Sequence, residues 1–254
     1  MIGLILGTSE GKNILSELNK YTDDIFVSTA TKYGGELLDN YSFRVMNTKP
    51  LDAEALKKVI VEHKIAILVD ASHPYALVVT KNAMDVCGEL DIEYVRYERP
   101  SIIENYHEEN IIKVKDHNEL HLKLKEINGN ILNTTGSKEI EKILAFKLEN
   151  RIIHRVLPTL EVVDKCVSLG IKPDDIIAIK GPIGYELNCS FIKEYNAKAI
   201  ILKDSGIEGG TKEKLDAAVN LKIPAFVLER EKFQYKKVFN NEKELINYLM
   251  IHRR

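Results

Sequence analysis

The sequence predicts an α/β protein with two domains, each built around a parallel sheet, that face each other across a cleft. Two observations predict this fold class. Short β-branched runs alternate with amphipathic helical patterns along nearly the whole chain, and this alternation is typical of a parallel sheet with helices on both faces. Several of the runs are also apolar at every position, as a strand covered on both faces requires.

The predicted strands form two series along the chain. The first series covers residues 2–6, 25–30, 43–47, 65–69 and 92–97. The second series covers residues 111–115, 131–134, 151–157, 175–179, 199–203 and 225–229. Segments with apolar residues at i, i+3, i+4 and i+7, such as 51–63 and 138–148, lie between most strands and predict helices.

A polar stretch with a proline, residues 98–106, interrupts the alternation and predicts a linker. We therefore expect an N-terminal α/β domain, 1–105, and a C-terminal α/β domain, 106–254. An internal similarity agrees with two halves, because ILGTSEGKNI at 5–14 resembles ILNTTGSKEI at 131–140. A duplication or a chance match between two βα units explains it equally well. The cleft between two such domains is a usual place for a ligand.

Charge and composition exclude several classes of protein. The 36 Lys+Arg against 38 Asp+Glu give a net charge of −2, which argues against a nucleic-acid or polybasic membrane partner. No apolar run approaches the roughly 20 residues of a membrane span, and Glu10 comes too early for a signal peptide. We expect a cytoplasmic protein. Because Cys87, Cys166 and Cys189 are far apart, we predict neither a disulfide scaffold nor a metal site.

The loops that follow the predicted strands carry the candidate chemistry, because ligands of parallel sheets bind beyond the carboxyl ends of strands. Gly7, Thr8, Ser9 and Glu10 follow the first strand. A glycine turn with free N–H groups at a helix start favours a pyrophosphate. A simple helix cap by Thr8 or Ser9 is the alternative interpretation.

Two further loops in the first half contain candidate residues. The second strand carries Ser28 near its end and is followed by Lys32, with no acid at this place. This favours the 2′-phosphate of NADP over the ribose hydroxyl of NAD. An exposed lysine without a ligand is the simpler alternative. Ser72 and His73 follow the fourth strand. His73 is a candidate to donate a proton or hold a carboxylate, and a capping histidine is the alternative.

In the second half, polar loops follow three of the strands, and residues 180–184 form one of them. The other two loops contain more candidate residues. One is a hydroxyl-rich helix start that comprises Thr134, Thr135 and Gly136. The other is the densest polar and glycine-rich loop of the chain, and it includes Lys203, Asp204, Ser205, Gly206, Gly210 and Thr211. Such loops usually contact a ligand, although simple turns are the alternative. His117 and His121 have helical spacing without a third metal ligand, and this predicts a solvated helix face.

The ordered set of loops resembles the precorrin-6A reductase family of cobalamin biosynthesis over essentially the whole chain. The matching segments are ILGTSEG at 5–11, VDASHPYA at 69–76, RYERP at 96–100, TTGS at 134–137, KGPIGYE at 180–186, and LKDSG followed by GGTKEKLDAA within 202–218. The resemblance implies two Rossmann-like domains and NAD(P)H-dependent reduction of a ring C=C of precorrin-6A, or cobalt-precorrin-6A, to precorrin-6B. It implies NADPH as the cofactor, with NADH as the alternative.

The resemblance and the loop chemistry together assign the candidate site residues. The substrate class carries many carboxylates, so basic side chains must recognise it on a slightly acidic protein. The substrate candidates are Arg96, Arg99, Arg155, Lys180, Lys203, Ser205, Gly206, Gly210 and Thr211. The cofactor candidates are Gly7, Thr8, Ser9, Glu10, Ser28, Lys32, Ser72, Thr134, Thr135 and Gly136. His73 and Asp204 are the catalytic candidates. A two-domain tetrapyrrole synthase and a non-catalytic nucleotide sensor are the alternative functions.

Overall fold

The computed structural model describes residues 1–7 and 10–252, which form two compact units. The first unit comprises Met1–Pro100 together with the segment from Glu231 onward, and the second comprises Ser101–Arg230. The first unit begins with the strands β1 (Ile2–Leu6), β2 (Ile25–Ser28), β3 (Val45–Asn47), β4 (Ile67–Ala71) and β5 (Glu93–Tyr97). Its helices over the same stretch are α1 (Glu10–Leu18), α2 (Lys32–Glu36), α3 (Ala53–Glu62) and α4 (Leu77–Leu90).

The second unit repeats the same alternation of strands and helices. Its strands are β6 (Ile111–Val114), β7 (Asn130–Asn133), β8 (Ile152–Val156), β9 (Ile176–Ala178), β10 (Ala197–Lys203) and β11 (Ala225–Leu228). Its helices are α5 (His117–Leu124), α6 (Ile140–Leu144), α7 (Leu160–Ser168), α8 (Tyr185–Glu194) and α9 (Thr211–Asn220). The chain then adds β12 (Val238–Phe239) and α10 (Glu242–His252) to the first unit.

Each unit contains a six-stranded parallel sheet, which confirms the predicted fold class. The strand order is β12-β5-β4-β1-β2-β3 in the first unit and β6-β11-β10-β7-β8-β9 in the second. Every residue of β1 and β4 is buried, because helices cover both faces of the sheet. The predicted strands lie within a few residues of the observed ones, and only the two-residue β12 was missed.

The course of the chain from residue 231 onward differs from the predicted domains 1–105 and 106–254. Val238 of β12 lies opposite Arg96 of β5, so the end of the chain completes the first sheet. Leu245 and Leu249 of α10 are buried in the core of that same unit. The chain therefore passes between the units twice, near residues 100 and 230. A strand of two residues is too short to show a hydrophobic period, so the sequence pattern did not reveal it.

The internal similarity between residues 5–14 and 131–140 falls on equivalent places of the two sheets. β1 lies between β4 and β2, and β7 lies between β10 and β8. β1 and β4 therefore end side by side in the first unit, and β7 and β10 end side by side in the second. Since all these strands are parallel, the loops after β1 and β4 share one edge, and so do the loops after β7 and β10.

Three further observations concern the described residues. No helix in the described ranges is both long and apolar enough to cross a membrane. Cys87, Cys166 and Cys189 are buried and free. The described residues also contain no group of three or more metal-ligating side chains of the His, Cys, Asp and Glu types.

Candidate functional site

The loop between β10 and α9 is closed by its own hydrogen bonds. The Thr211 hydroxyl accepts from the Ser205 amide at 3.0 Å and donates to the Lys203 carbonyl at 3.3 Å. The Thr211 amide donates to the Gly206 carbonyl at 3.2 Å. Gly206 and Gly210 have φ values of 72° and 64°, which favour glycine. The structure thus brings these five predicted substrate residues into one compact loop.

Gly209 is required by the packing of this loop on itself. A Cβ atom at Gly209 would lie 2.6 Å from the Ser205 carbonyl oxygen and 2.2 Å from the Ser205 Cβ. A Cβ atom at Gly210 would lie 2.9 Å from the Cβ of Pro182, in the loop after β9. A side chain at either glycine would therefore be too close to neighbouring atoms of the second unit.

Lys203 is buried in an ion pair with Glu139. Its Nζ lies 3.0 Å from Glu139 Oε1, while Lys142 Nζ and His117 Nε2 each lie 3.0 Å from Oε2. Burial raises the pKa of Glu139, but the charges and hydrogen bonds of Lys203 and Lys142 outweigh this and hold it at about 2. Burial lowers the pKa of Lys203, and Glu139 opposes that shift. The carboxylate thus holds the lysine at the start of the loop.

The position of the two histidines of α5 differs from the predicted solvated face. His117 faces Glu139, and burial lowers the His117 pKa although that carboxylate opposes the shift. The ring of His121 stacks on Phe146 with centroids 4.7 Å apart. The sequence pattern missed both contacts because Glu139 and Phe146 lie on a different element.

Asp204 is a buried partner of Arg230, a residue that the sequence analysis did not single out. Its side chain is 1% exposed, and Oδ2 lies 3.2 Å from Arg230 Nε. The same Nε donates to the Asp204 backbone carbonyl at 2.8 Å. Arg230 follows β11, so neighbouring strand ends supply the two partners. This geometry gives the Asp204 carboxylate a structural role in the loop.

Lys214 is a buried cationic residue next to the same loop, and sequence reasoning missed it. It lies on α9, is 5% exposed and donates from Nζ to the Gly209 carbonyl at 3.1 Å. Burial lowers the Lys214 pKa to about 7; the charges of Arg155 and Lys203 lower it as well, and Glu213 opposes them. A lysine in a polar helix is normally exposed, so no signal in the sequence distinguished it.

Arg155 lies on β8 and forms a hydrogen bond with a neutral side chain. Its Nη1 donates to Asn188 Oδ1 at 2.9 Å. The Asn188 amide in turn donates to the carbonyls of Ile183 and Gly184 at 3.2 and 2.9 Å, which fixes the amide oxygen toward the arginine. Burial lowers the pKa of Arg155 to about 10. The arginine therefore remains charged near neutral pH.

A buried asparagine shapes the loop after β7. Asn133 Oδ1 accepts from the Thr135 hydroxyl at 2.7 Å and from the Thr135 amide at 3.0 Å, as in an Asx turn. Its Nδ2 lies 3.0 Å from Nδ1 of His154, and burial lowers the His154 pKa to about 4. The neutral ring therefore accepts this hydrogen bond and holds the asparagine that orients Thr135.

The loop after β7 leaves open space beside the backbone of Gly136. The Thr134 hydroxyl donates to the Ile201 carbonyl at 2.8 Å, so this predicted cofactor residue ties the loop to β10. Gly136 has a φ of 85°, and a Cβ there would meet no atom within 4 Å. The backbone at Gly136 is thus the open part of this loop.

Lys180, a predicted substrate residue that lies two residues beyond β9, is exposed.

In the first unit, the loop after β1 is only partly described. The Gly7 amide donates to the Ala71 carbonyl at 3.0 Å, so this predicted phosphate donor is used by the adjacent strand. Thr8 and Ser9 lie outside the described residues, and α1 begins at Glu10. A Cβ at Gly11 would lie 3.1 Å from Leu6 Cδ1, so this glycine lets α1 approach β1 closely.

The end of β2 carries hydroxyl groups and a lysine. The Ser28 hydroxyl accepts from Asn47 Nδ2 at 3.1 Å. The Thr31 hydroxyl accepts from the Gly34 amide at 3.1 Å and caps α2. Lys32 is the first residue of that helix, and its side chain is 88% exposed and only loosely paired with Glu36 at 3.9 Å. Lys32 is therefore accessible to an anionic ligand.

A buried carboxylate organises the loop after β4. Asp70 accepts from the Ser72 amide at 2.9 Å, the Thr80 hydroxyl at 2.7 Å and the Tyr94 hydroxyl at 2.9 Å. Arg96 Nη1 lies 2.9 Å from Asp70 Oδ1 and donates to the Ser72 hydroxyl at 3.2 Å. The sequence analysis did not select Asp70, whose partners lie 2 to 26 residues away along the chain.

Arg96, a predicted substrate contact, is buried among polar side chains of the first unit. The residue is 1% exposed, and its guanidinium holds Asp70 and Ser72 and lies 5.9 Å from the Tyr235 ring centroid. Arg99 is also buried. His73 Nδ1 accepts from the Tyr75 amide at 3.2 Å. This bond does not cap α4, because that helix begins at Leu77 and its N-cap residue, Ala76, has no side-chain cap.

The comparison with family models decides the family. The model of the family described as "Precorrin-6x reductase CbiJ/CobK" matches residues 1–250. The chain belongs to this family. The match spans both units of the structure, so both sheets and the loops at their edges are part of it.

Individual relatives and a solved structure agree with this assignment. A cobalt-precorrin-6A reductase from Methanocaldococcus jannaschii is 38% identical over 248 residues, which is 97% of this chain and 96% of that protein. A cobalt-precorrin-6A reductase from Priestia megaterium is 32% identical over 254 residues, with 98% of each chain covered. The solved structure of CobK precorrin-6A reductase superposes with a TM-score of 0.78 at 16% identity, covering 99% and 97% of the two chains. That structure shows the same fold.

Proposed function

We propose that this protein reduces one ring C=C of cobalt-precorrin-6A and forms cobalt-precorrin-6B. The family match over residues 1–250 carries this proposal. The choice of the cobalt form follows the two relatives described above, both of which are cobalt-precorrin-6A reductases. In the reaction, one carbon of the double bond gains a hydride, its neighbour gains a proton, and the reduced nicotinamide becomes oxidised.

The residues of the first unit fit a dinucleotide cofactor, which we propose is NADPH. Gly11 brings α1 close to β1, as the helix-packing glycine of a dinucleotide-binding βα unit does. The end of β2 presents Ser28 and Lys32 where NAD-binding proteins place an acid. When bound, the cofactor supplies the hydride. The chain orients it and, at Lys32, favours a 2′-phosphate.

The residues of the second unit fit recognition of a polycarboxylate. Lys203 and Thr211 lie in a loop closed by its own hydrogen bonds, and Gly136 leaves open space beside its backbone. A loop that is fixed in this way binds a ligand without a large ordering cost. We propose that the loop after β10 positions the tetrapyrrole and that solvent supplies the proton, because Asp204 is held by Arg230.

Purified protein with cobalt-precorrin-6A and NADPH tests this function directly. We expect the near-ultraviolet absorbance of NADPH to fall in step with formation of a product two hydrogens heavier by mass spectrometry. A tetrapyrrole synthase would change the substrate without consuming NADPH. A nucleotide sensor would bind NADPH without turnover. Either result would replace the proposed function with one of these alternatives.

The cofactor assignment predicts a change in specificity for Lys32→Glu. We expect this variant to weaken NADPH binding by roughly tenfold or more, because a carboxylate would face the 2′-phosphate. NADH binding should change by less than about twofold. Lys20→Glu, a change at an exposed lysine paired with Glu17, is the matched control. Equal losses for both cofactors in Lys32→Glu would remove the 2′-phosphate assignment.

A further inference from the structure

Two basic side chains of the second unit, Arg155 and Lys214, are bonded to partners in or next to two loops that contact each other. A Cβ at Gly210 would lie 2.9 Å from the Cβ of Pro182, and Asn188, the partner of Arg155, donates to the carbonyl of the adjacent Ile183. Arg155 is bonded to Asn188 Oδ1, and Lys214 is bonded to the Gly209 carbonyl. Among the described residues, neither cation has a carboxylate within ion-pair distance. Buried charges are normally paired, so this arrangement lacks an anion.

The acidic residues nearby do not supply that anion. Glu139 is shared by Lys203, Lys142 and His117. Glu213 acts on Lys214 through its charge, yet it forms no ion pair among the described residues, and its Oε2 is buried without a hydrogen-bond partner. The charged groups that act on Lys214 are therefore Arg155 and Lys203, which are cationic, and Glu213.

Both side chains retain donors for a ligand. An ammonium group has three N–H donors and a guanidinium has five, whereas each residue here uses one of them in its bond to Gly209 or Asn188. A carboxylate has two oxygens that accept from both groups. The proposed substrate class is rich in such carboxylates.

We propose that Arg155 and Lys214 form an oxyanion site that binds a carboxylate side chain of the tetrapyrrole substrate, and that Lys214 takes up a proton as this carboxylate binds. The inference rests on the proposed function and extends it to named residues. Arg155 supplies a fixed positive charge. Lys214 supplies a charge that appears when the anion arrives, because a nearby carboxylate favours the protonated amine.

The proton uptake is expected because Lys214 is largely neutral in the free protein above neutral pH. Its pKa is about 7, so about nine tenths of the side chains are unprotonated near pH 8. A bound carboxylate raises the pKa, and the lysine then binds a proton from solution. NADPH binding at the first unit should leave this group unchanged.

Calorimetric titration of the full-length protein in two buffers of different ionisation enthalpy tests the site. Near pH 8, we expect cobalt-precorrin-6A to bind with uptake of about one proton, and NADPH to bind with none. Lys214→Met should lose the uptake and weaken tetrapyrrole binding by about tenfold or more. Lys214→Arg should keep the affinity within about threefold but show no uptake, because arginine is already charged.

Lys212→Met is the matched control on the same helix. Lys212 is exposed and paired with Asp216, so this variant should keep both the proton uptake and the affinity of the wild type. Circular dichroism checks that each variant folds. If Lys214→Met does not fold, the two-buffer titration of the wild type and of Lys214→Arg still decides the proposal.

The outcomes separate this inference from the proposed function. Tetrapyrrole binding by the wild type without proton uptake, or uptake that persists in Lys214→Met, overturns the oxyanion site and leaves the reductase function standing. Uptake on binding NADPH instead of the tetrapyrrole assigns the anion to a cofactor phosphate and overturns the carboxylate assignment. A wild type that binds no tetrapyrrole contradicts both.

Discussion

At the scale of single residues, burial decides what the charged side chains of the second unit can do. Lys203 and Asp204 are adjacent in the chain, yet each is paired with a residue from a different element, Glu139 and Arg230. A buried pair loses much of its stabilisation when one partner is removed, because the other charge stays behind. Substitutions at these positions therefore test structure and chemistry together.

Replacing Asp204 by asparagine separates its structural role from proton donation. Asp204→Asn keeps the shape of the side chain but removes the ion pair with Arg230. We expect the free energy of unfolding to fall by about 3 kcal/mol, while the single-turnover rate of reduction stays within about threefold of wild type. A rate loss of about a hundredfold without loss of stability would instead support Asp204 as the proton donor.

The lowered pKa of Lys214 predicts a pH dependence of stability. Between about pH 7 and pH 10, the lysine is protonated in the unfolded chain, whose pKa is near 10.5, but largely neutral in the folded protein. The unfolded state thus binds more protons, so the free energy of unfolding rises with pH across this window. Relative to Lys214→Met, the wild type should gain about 3 kcal/mol from pH 7 to pH 10 in urea unfolding. Parallel curves for the two proteins would contradict a buried, neutral lysine.

At the scale of elements, short polar side chains at strand ends set the shape of the loops. Asp70 Oδ1 accepts from the amide of Ser72, and Asn133 Oδ1 accepts from the amide of Thr135. Both are bonds to the residue two positions ahead, as in Asx turns. β4 and β7 therefore end in the same local structure. Arg96 contacts the Asp70 carboxylate in the first case, and His154 contacts the Asn133 amide in the second.

The loop after β10 relies instead on a glycine that touches its own backbone. Gly209→Ala would place a methyl group 2.6 Å from the Ser205 carbonyl oxygen, so the loop must rearrange. We expect a loss of about 2 kcal/mol in stability and a fall in kcat/KM for the tetrapyrrole. Gly88→Ala is the control, since a Cβ there meets no atom within 4 Å and alanine in a helix gains up to about 1 kcal/mol. Unchanged activity in Gly209→Ala would show that this loop shape is not needed for turnover.

At the scale of the whole molecule, the end of the chain belongs to the first unit. Leu249 of α10 is fully buried in that unit, whereas Ile251 on the same helix is 72% exposed. We expect Leu249→Ala to lower the free energy of unfolding by about 3 kcal/mol through the cavity it leaves. Ile251→Ala should change it by less than about 0.5 kcal/mol.

Hydrogen exchange locates the effect of these variants. In Leu249→Ala, amides of Met1–Pro100 should exchange faster, while those of Ser101–Arg230 keep their protection. Faster exchange confined to the second unit would contradict the assignment of the chain end to the first.

The sequence by itself determined the strands, the parallel α/β class and the family. β-branched runs and helical periods are local signals, so strands such as Ile2–Leu6 could be placed from their own residues. The ordered loop motifs were equally local, and they identified the reductase family that the comparison confirmed. The polar, glycine-rich run from Lys203 to Thr211 likewise predicts one candidate site from its own residues, and the structure adds the hydrogen bonds that close this loop.

Only the tertiary structure decided which unit contains the C-terminal segment, which polar groups are buried and which of them are paired. The sequence predicts Arg96 as a substrate contact, and the structure places it beside Asp70 and Tyr235. Lys214 carries no local signal of the burial that the structure shows. Burial and desolvation depend on neighbours that come from distant parts of the chain and meet only on folding. The two residues of β12 are too few to show a hydrophobic period. The place of β12 depends on its pairing with β5 at the edge of the sheet and on the packing of α10 in the core of the first unit.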